Sequence, residues 1–421
     1  MITQRSLADN YIAIRQGIEF YYFGKGCIAD YYTSTIGYLD ETDIRIIKYC
    51  NGTLTLNDIF IKLKYIDGET LKDRINVMRK KGIIVFKTEP IDIVPVFFGK
   101  KDYYYPKTIA IELLSNCNYY CPFCYKNANS KGMLISDNTI FSINKIIRNN
   151  VHNILLTGGE PTLHPNYLKY IDIFSEYARV YIITNGSFIY LHDSNTLKKL
   201  DHIQFSIYGC NDEEYKKMTG SDTGFADLCK SLEFSKNHNI ATVASVTFCE
   251  STFEHMEDFF KLAKYFGVDV LRVGVADSFG RGERAYNNDL KYNVKLDEAF
   301  KELILLKRKY SKEYRIDFPN IKTEHFNKRE DLKQFVYKGT FDCGCGSEYI
   351  VVSQEGKIRP CQMLSEKYFS YDKNLEALEE HINGDFHKTK LFECVNKFYE
   401  VKCKDKELPC HALRSYVNKN I

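Results

Sequence analysis

Tryptophan is missing from the 421 residues, although Tyr (32) and Phe (28) are abundant; lineage codon bias explains that skew as well as an aromatic binding surface does. Charge of one sign is also lacking. Lys and Arg number 58 against 55 Asp and Glu, a net of +3, and no basic run forms a phosphate-binding stripe, so no nucleic-acid partner is expected. No stretch of about 18 apolar residues occurs, so no membrane span is expected. The opening Met1-Ile2-Thr3-Gln4-Arg5-Ser6 lacks a charged region followed by an apolar one, which argues against a signal peptide. The expected setting is therefore a reducing cytoplasm, where 14 cysteines would not form a disulfide framework. They are clustered, and clustered cytosolic cysteines point to metal.

Length suggests two or three domains. Residues 1–90 open with strand-like runs, Tyr11–Arg15 and Ile18–Phe23. Helical periodicity follows over Asp40–Tyr49, Leu56–Lys64 (after the cap Thr55) and Glu69–Lys81, and the strand Gly82–Phe86 closes the unit. This order describes a small winged-helix-like α+β domain. Residues 91–106, with Pro95 and Pro106, read as a linker. From 107 to 310 strands alternate with amphipathic helices: Ile109–Leu114, Asn153–Leu156, Val180–Thr184, His202–Ile207, Thr242–Phe248 and Val268–Val275. Six βα repeats imply an α/β fold built on a parallel sheet, a partial (β/α)6 TIM-type barrel with its chemistry at the C-terminal strand ends. Residues 311–421 form a cysteine-rich third segment, in which Tyr349–Val352, Ser353-Gln354-Glu355-Gly356 and Lys357–Arg359 read as a β-hairpin.

Cys117-Asn118-Tyr119-Tyr120-Cys121-Pro122-Phe123-Cys124 follows the first barrel strand. Three thiolates at this spacing can wrap one loop around a [4Fe–4S] cubane and leave one iron open. Zinc is the alternative, but tetrahedral zinc usually recruits four ligands, and no fourth Cys or His is near in sequence. Cys-x3-Cys-x-aromatic-Cys resembles the signature of the radical S-adenosylmethionine (SAM) superfamily. The resemblance implies that the open iron chelates SAM and that one electron cleaves it to methionine and a 5′-deoxyadenosyl radical. It implies that Cys117, Cys121 and Cys124 hold the cluster and that Phe123 contacts the adenine.

Further matches fall at successive strand ends. Thr157-Gly158-Gly159-Glu160-Pro161 resembles the element that binds the SAM amino group, through Gly158, Gly159 and Glu160. Thr184-Asn185-Gly186 ends the third strand. Ser206 matches the position that contacts the SAM ribose, and Tyr215–Thr219-Gly220 resembles the segment that follows in peptide-modifying members. Arg272 is either a partner of the SAM carboxylate or an ordinary salt-bridging residue. Glu112 and Asn116 receive no role.

Cys345-x10-Gly356-x4-Cys361 resembles the opening of the SPASM or twitch extension, which carries auxiliary iron–sulfur clusters. The later spacing departs from that pattern, running Cys394-x8-Cys403-x6-Cys410 with Arg414 where a cysteine would stand. The resemblance implies at least one auxiliary [4Fe–4S] cluster, held by Cys345, Cys361, Cys403 and Cys410, with Cys343 and Cys394 as substitutes. His411 is a possible non-Cys ligand.

Residues 1–90 resemble the PqqD-like RiPP recognition element, which binds the leader of a ribosomal precursor peptide by pairing with a sheet edge; Phe20–Phe23 read equally as that edge or as ordinary hairpin residues. Together the resemblances describe a radical SAM peptide maturase supplied by an electron donor such as flavodoxin or ferredoxin, acting on a precursor peptide. A thioether crosslink is the expected product. Carbon–carbon or carbon–oxygen crosslinking and epimerisation (with Cys210 or Cys249 as hydrogen donor) are alternatives within the class. A non-catalytic peptide- or DNA-binding regulator is the alternative outside it.

Overall fold

The computed structural model describes residues 9–31, 34–103, 106–148, 150–248, 250–275, 280–281, 301–317, 346, 349–363, 375 and 378–379. The amino-terminal unit runs β1 (Tyr11–Ile14), β2 (Ile18–Phe23), β3 (Gly26–Tyr31), β4 (Ser34–Leu39), α1 (Glu41–Ile47), β5 (Asn51–Thr55), α2 (Leu56–Lys62), α3 (Gly68–Lys80), β6 (Ile84–Lys87) and β7 (Phe97–Phe98). The helices start where short polar side chains satisfy open backbone N–H groups. Asp40 and Asp43 form a capping box at α1, Thr55 and Asp58 another at α2, and Asp67 caps α3. Ile46, Ile47, Leu71, Ile75 and Met78 from α1 and α3 bury against Ile12, Ile14 and Phe20 from the strands.

Two sheets result, β5–β1–β6 and β4–β3–β2–β7. Their pairing corrects two expectations. The stretch read as a linker is bound along the sheets: Ile91 and Ile93 N–H donate to Gly52 and Asn51 carbonyls at 3.0 and 2.9 Å, and Phe20 N–H donates to Val96 at 3.1 Å. Phe20–Phe23 is not a free edge, because β7 pairs with Phe20 and Tyr21. The outer strands of that sheet are β4 and the two-residue β7.

The barrel segment comprises β8 (Thr108–Glu112), α4 (Asp137–Ile147), β9 (Asn153–Thr157), α5 (Tyr167–Ser175), β10 (Arg179–Thr184), α6 (Ser194–Leu197), β11 (His202–Ile207), α7 (Asp212–Thr219), α8 (Gly224–Asn237), β12 (Thr242–Phe248), α9 (Met256–Phe266), β13 (Val270–Val275), β14 (Arg315–Asp317), β15 (Tyr349–Val352) and β16 (Ile358–Arg359). The sheet order is β14–β13–β12–β11–β10–β9–β8–β15–β16, parallel throughout except at β16. All six expected strands are present, and β14 and β15 extend the parallel sheet at its two ends. β8 and β9 are buried along their whole length, as strands covered on both faces are. α9 turns Met256, Phe259, Phe260, Ala263 and Phe266 inward, a helical spacing, and burying each phenylalanine contributes roughly 1.5–3 kcal/mol. No helix among the described residues is long and apolar enough to cross a membrane.

The amino-terminal unit meets the barrel at the ends where strands enter. Tyr21 OH donates to Asn153 Oδ1 at 3.0 Å, Lys107 Nζ lies 2.9 Å from Asp30, and Arg179 pairs with both Glu19 and Asp201. Asn153 and Arg179 begin β9 and β10, so this contact lies at the opposite end of the sheet from the cysteine loop. In the carboxy-terminal segment the expected hairpin is β15–β16, with Gly356 at φ +77° in its turn. Cys343, Cys345, Cys394, Cys403, Cys410 and His411 lie outside the described residues, as does Cys249.

Candidate active site

The loop that follows β8 carries Cys117, Cys121 and Cys124, and its backbone is bound on several sides. Cys117 N–H donates to Asn129 O at 2.7 Å, and Tyr120 N–H to Thr219 O at 2.8 Å, at the end of α7. The second bond docks the Tyr215–Thr219 segment on the loop. Gly159 and Glu160 N–H donate to Leu114 and Asn116 carbonyls at 2.8 and 3.0 Å. That approach is why Gly159 must be glycine: a Cβ there would overlap Asn116 O. The Gly-Gly turn therefore fits the cysteine loop itself, a backbone role the sequence did not distinguish from contact with a ligand.

Glu160 is buried at 1% exposure. Its carboxylate accepts from Thr162 N–H (3.1 Å), Thr162 Oγ1 (2.5 Å), Thr184 Oγ1 (2.7 Å) and Asn185 N–H (2.7 Å). Burial raises its pKa from the ordinary value even though these bonds pull the other way. Asn185 Nδ2 in turn donates to Asn118 Oδ1 at 2.8 Å, and Asn118 Nδ2 to Ser187 Oγ at 2.9 Å, so the third strand end grips the loop between Cys117 and Cys121. Burial pushes the Cys117 thiol up to about 12, with the Glu160 charge adding to it. Cys121 is raised by burial and by its neighbours Cys124 and Cys117.

Phe123 packs beside Tyr208, ring centroids 5.8 Å apart, and against Met218. Ser206 ends β11, and its carbonyl accepts from Tyr215 OH at 3.3 Å. Arg272 lies on β13. Its guanidinium donates to Gln204 Oε1 at 2.6 Å and faces Asp317 at 3.9 Å, partners supplied by neighbouring strands. Cys210 sits among Glu214, Asp258, Cys229 and Lys261 from α7, α8 and α9.

Three residues without a sequence signal complete the site. Glu112, at the end of β8 and 1% exposed, pairs with Lys126 Nζ at 2.7 Å and with Arg359. Arg281 Nε and Nη1 donate to the carbonyls of Cys121 (2.7 Å) and Ala128 (2.5 Å), while its own N–H donates to Cys124 O at 3.0 Å. Asn116 Oδ1 is buried beside the Gly159–Glu160 turn with no hydrogen-bond partner among the described residues, an acceptor of the kind an ammonium group satisfies.

Three thiols on one loop are the donor type that iron–sulfur clusters take. Among the described residues no three His, Cys, Asp or Glu side chains converge tightly enough for one metal. A zinc at about 2.3 Å from each sulfur would need its ligands close together; a cubane takes its thiolates on separate irons. Cys117, Cys121 and Cys124 would hold it.

Residues 111–263 match the Radical SAM superfamily. The parallel sheet, the three-cysteine loop and this match together make residues 111–263 similar to a radical SAM domain. Among individual proteins, the chain is 22% identical over 302 residues to the antilisterial bacteriocin subtilosin biosynthesis protein AlbA of Bacillus subtilis (strain 168), covering 70% of this chain and 64% of that one. It is 23% identical over 270 residues to the sporulation killing factor maturation protein SkfB of the same strain, covering 63% and 62%. The chain thus spans a little under two thirds of the length of these relatives. In fold it is similar to Streptococcus suis SuiB bound to precursor peptide SuiA, with a TM-score of 0.61 and 15% identity over 96% of this chain and 94% of that one.

Proposed function

We propose that the protein is a radical SAM maturase of a ribosomal precursor peptide and that it forms a thioether between a cysteine sulfur and a carbon of that peptide. The observation that carries the reading is the bonded unit of the three-cysteine loop with the Gly158-Gly159-Glu160 turn at the exit ends of β8 and β9. Support for a peptide substrate comes from relatives named for bacteriocin biosynthesis and killing-factor maturation, and from a fold shared with a protein crystallised with its precursor peptide.

A cluster held by Cys117, Cys121 and Cys124 would supply the one-electron chemistry for cleaving SAM and so the means to remove a hydrogen atom from the peptide. The chain's own residues shape the site around that chemistry. Asn185 and Asn118 orient the loop, Glu160 holds two strand ends in register, and Asn116 offers an acceptor to the SAM amino group. Ser206 would contact the ribose of SAM and Phe123 its adenine. Residues 9–87 would bind the leader, with β4 the strand whose outer edge can accept it through main-chain hydrogen bonds. Cys361 would contribute to an auxiliary cluster that takes the surplus electron, and a flavodoxin- or ferredoxin-class donor would recharge the first. Epimerisation, with Cys210 or Cys249 as hydrogen donor, is the alternative within the class.

The test is anaerobic incubation of reduced enzyme with SAM and the precursor peptide. A peptide mass loss of about two hydrogens with thiols consumed is expected. Unchanged mass with thiols free would refute the thioether, and deuterium uptake from heavy water would instead mark epimerisation.

A further inference from the structure

One residue from outside the cysteine motif bonds the backbone of two of its three cysteines. Arg281 follows β13 in sequence, and in the sheet β12, β11, β10 and β9 stand between that strand and β8, whose loop carries the motif. The Arg281 N–H donates to Cys124 O at 3.0 Å, and its Nε donates to Cys121 O at 2.7 Å. Nη1 donates to Ala128 O at 2.5 Å, and the guanidinium lies over the Tyr120 ring at 4.0 Å. The preceding Gly280 approaches so closely that a Cβ there would stand 2.3 Å from the Cys124 and Tyr125 carbonyls. A permanently charged group is thus fixed against the backbone of the cysteines themselves. Its charge also reaches the Cys117 and Cys121 sulfurs, where it works against burial and favours the thiolate form.

Holding carbonyls does not by itself call for a charge. Neutral amide N–H groups satisfy most buried carbonyls in proteins. What a cation adds is a positive potential at the sulfurs. The Tyr120 ring covers one face of the guanidinium, and a charge shielded from water acts more strongly on its neighbours. Net charge is one of the quantities that set the reduction potential of an iron–sulfur cluster. Reduction makes a cluster more negative, so a cation beside it stabilises the reduced form over the oxidised one. That sign holds whatever else faces the guanidinium, because taking the cation away leaves the surroundings more negative by one charge.

We infer that Arg281 is a positioning residue with an electrical role: its fixed charge raises the reduction potential of the cluster held by Cys117, Cys121 and Cys124. The inference rests on the cluster assignment proposed above. Arg281 then has two separable functions. Its donors hold the loop, and its charge sets how readily the cluster takes the electron that SAM cleavage needs. Lysine keeps the charge and loses the planar fork, whereas glutamine keeps donor N–H groups and loses the charge.

The experiment is a potentiometric titration of the full chain reconstituted with iron and sulfide, read by electron paramagnetic resonance on the signal that added SAM perturbs. Wild type, Arg281→Gln and Arg281→Lys are compared at equal iron per chain. At a fixed solution potential the ratio of reduced to oxidised cluster is expected to fall roughly tenfold in R281Q, about 59 mV for a one-electron couple. R281K is expected to keep the wild-type potential. An unchanged potential in R281Q, or equal falls in both variants, would overturn the inference. Should R281Q take up no iron, Gly280→Ala carries the test, because it displaces the same carbonyls while the charge stays. A lowered potential in G280A would then assign the effect to loop geometry and overturn the inference, and an unchanged one would support it. A wild-type protein that binds no cubane would refute the cluster assignment itself, whereas equal potentials on a bound cubane would remove only the role of the charge.

Discussion

Glu160 accepts the backbone N–H of Asn185 at 2.7 Å, and through that bond the turn ending β9 holds the turn ending β10. The remaining acceptor positions serve Thr162 and Thr184, so every group facing this carboxylate is a donor. Glu160→Gln sets an amide NH2 against at least one of them. Loss of a hydrogen bond to a charged group, with a donor left facing a donor, costs about 1.5–3 kcal/mol. SAM affinity, measured by equilibrium dialysis on reconstituted protein, should therefore weaken roughly tenfold or more. Unchanged affinity would mean that the geometry of these turns does not matter for the cofactor.

Asp137, in the first turn of α4, accepts from Lys169 Nζ (2.8 Å), Tyr170 OH (2.5 Å) and Asn166 Nδ2 (3.0 Å). The hydrogen bond from Lys169, then those from Tyr170 and Asn166, lower its pKa from 3.8 to about 2. A depressed folded-state pKa means stability that is complete above the unfolded value and is lost as pH falls through the folded one. Asp137→Asn should therefore melt below wild type near neutral pH, and the two curves should converge as pH drops from about 4 to about 2. Parallel melting curves across that window would contradict the assignment.

Arg179 joins the amino-terminal unit to the barrel by pairing with Glu19 from one and Asp201 from the other. Arg179→Met leaves two carboxylates facing each other without a cation. Breaking such a partly buried pair costs up to about 3–5 kcal/mol, less here because the arginine is partly solvated. Limited proteolysis should then cut between the unit and the barrel faster than in wild type, with the barrel fragment persisting. Equal cleavage rates would show that the apolar contacts suffice.

The six strands from 109 to 275 were legible because parallel strands covered on both faces read as continuous apolar runs, interrupted by amphipathic helices. The cysteine loop and the Gly158-Gly159-Glu160 turn were legible because their residues are contiguous. What sequence could not reveal is pairing between distant segments. Glu112 read as a lone acid because Lys126 and Arg359 approach it only after β8, β15 and β16 assemble. Arg272 read equally as a cofactor partner or a salt-bridging residue, because its neighbours Gln204 and Asp317 come from other strands. Phe20–Phe23 read equally as an edge or as hairpin residues, because the strand that pairs with Phe20 and Tyr21, β7, is two residues long; the hairpin with β3 is what forms. β3 escaped notice because it is buried along nearly its whole length and shows no alternation.

Arg281 and Gly280 supply the last prediction, because they clasp the cysteine loop from outside the motif. The guanidinium donates to Cys121 and Ala128 carbonyls and lies over the Tyr120 ring at 4.0 Å. Gly280 adopts φ +56°, and a Cβ there would overlap the Cys124 and Tyr125 carbonyls. Arg281→Lys keeps the charge but cannot reproduce a planar fork reaching two carbonyls, so at least one buried acceptor loses its donor, at about 1–3 kcal/mol. If that energy holds the loop closed, iron should leave the reconstituted protein to a chelator roughly tenfold faster in Arg281→Lys. Gly280→Ala should do the same by steric displacement of the same carbonyls. The two variants reach one outcome through different physics, loss of donors in one and overlap in the other. Wild-type iron retention in both would show that the loop keeps its shape without this clasp.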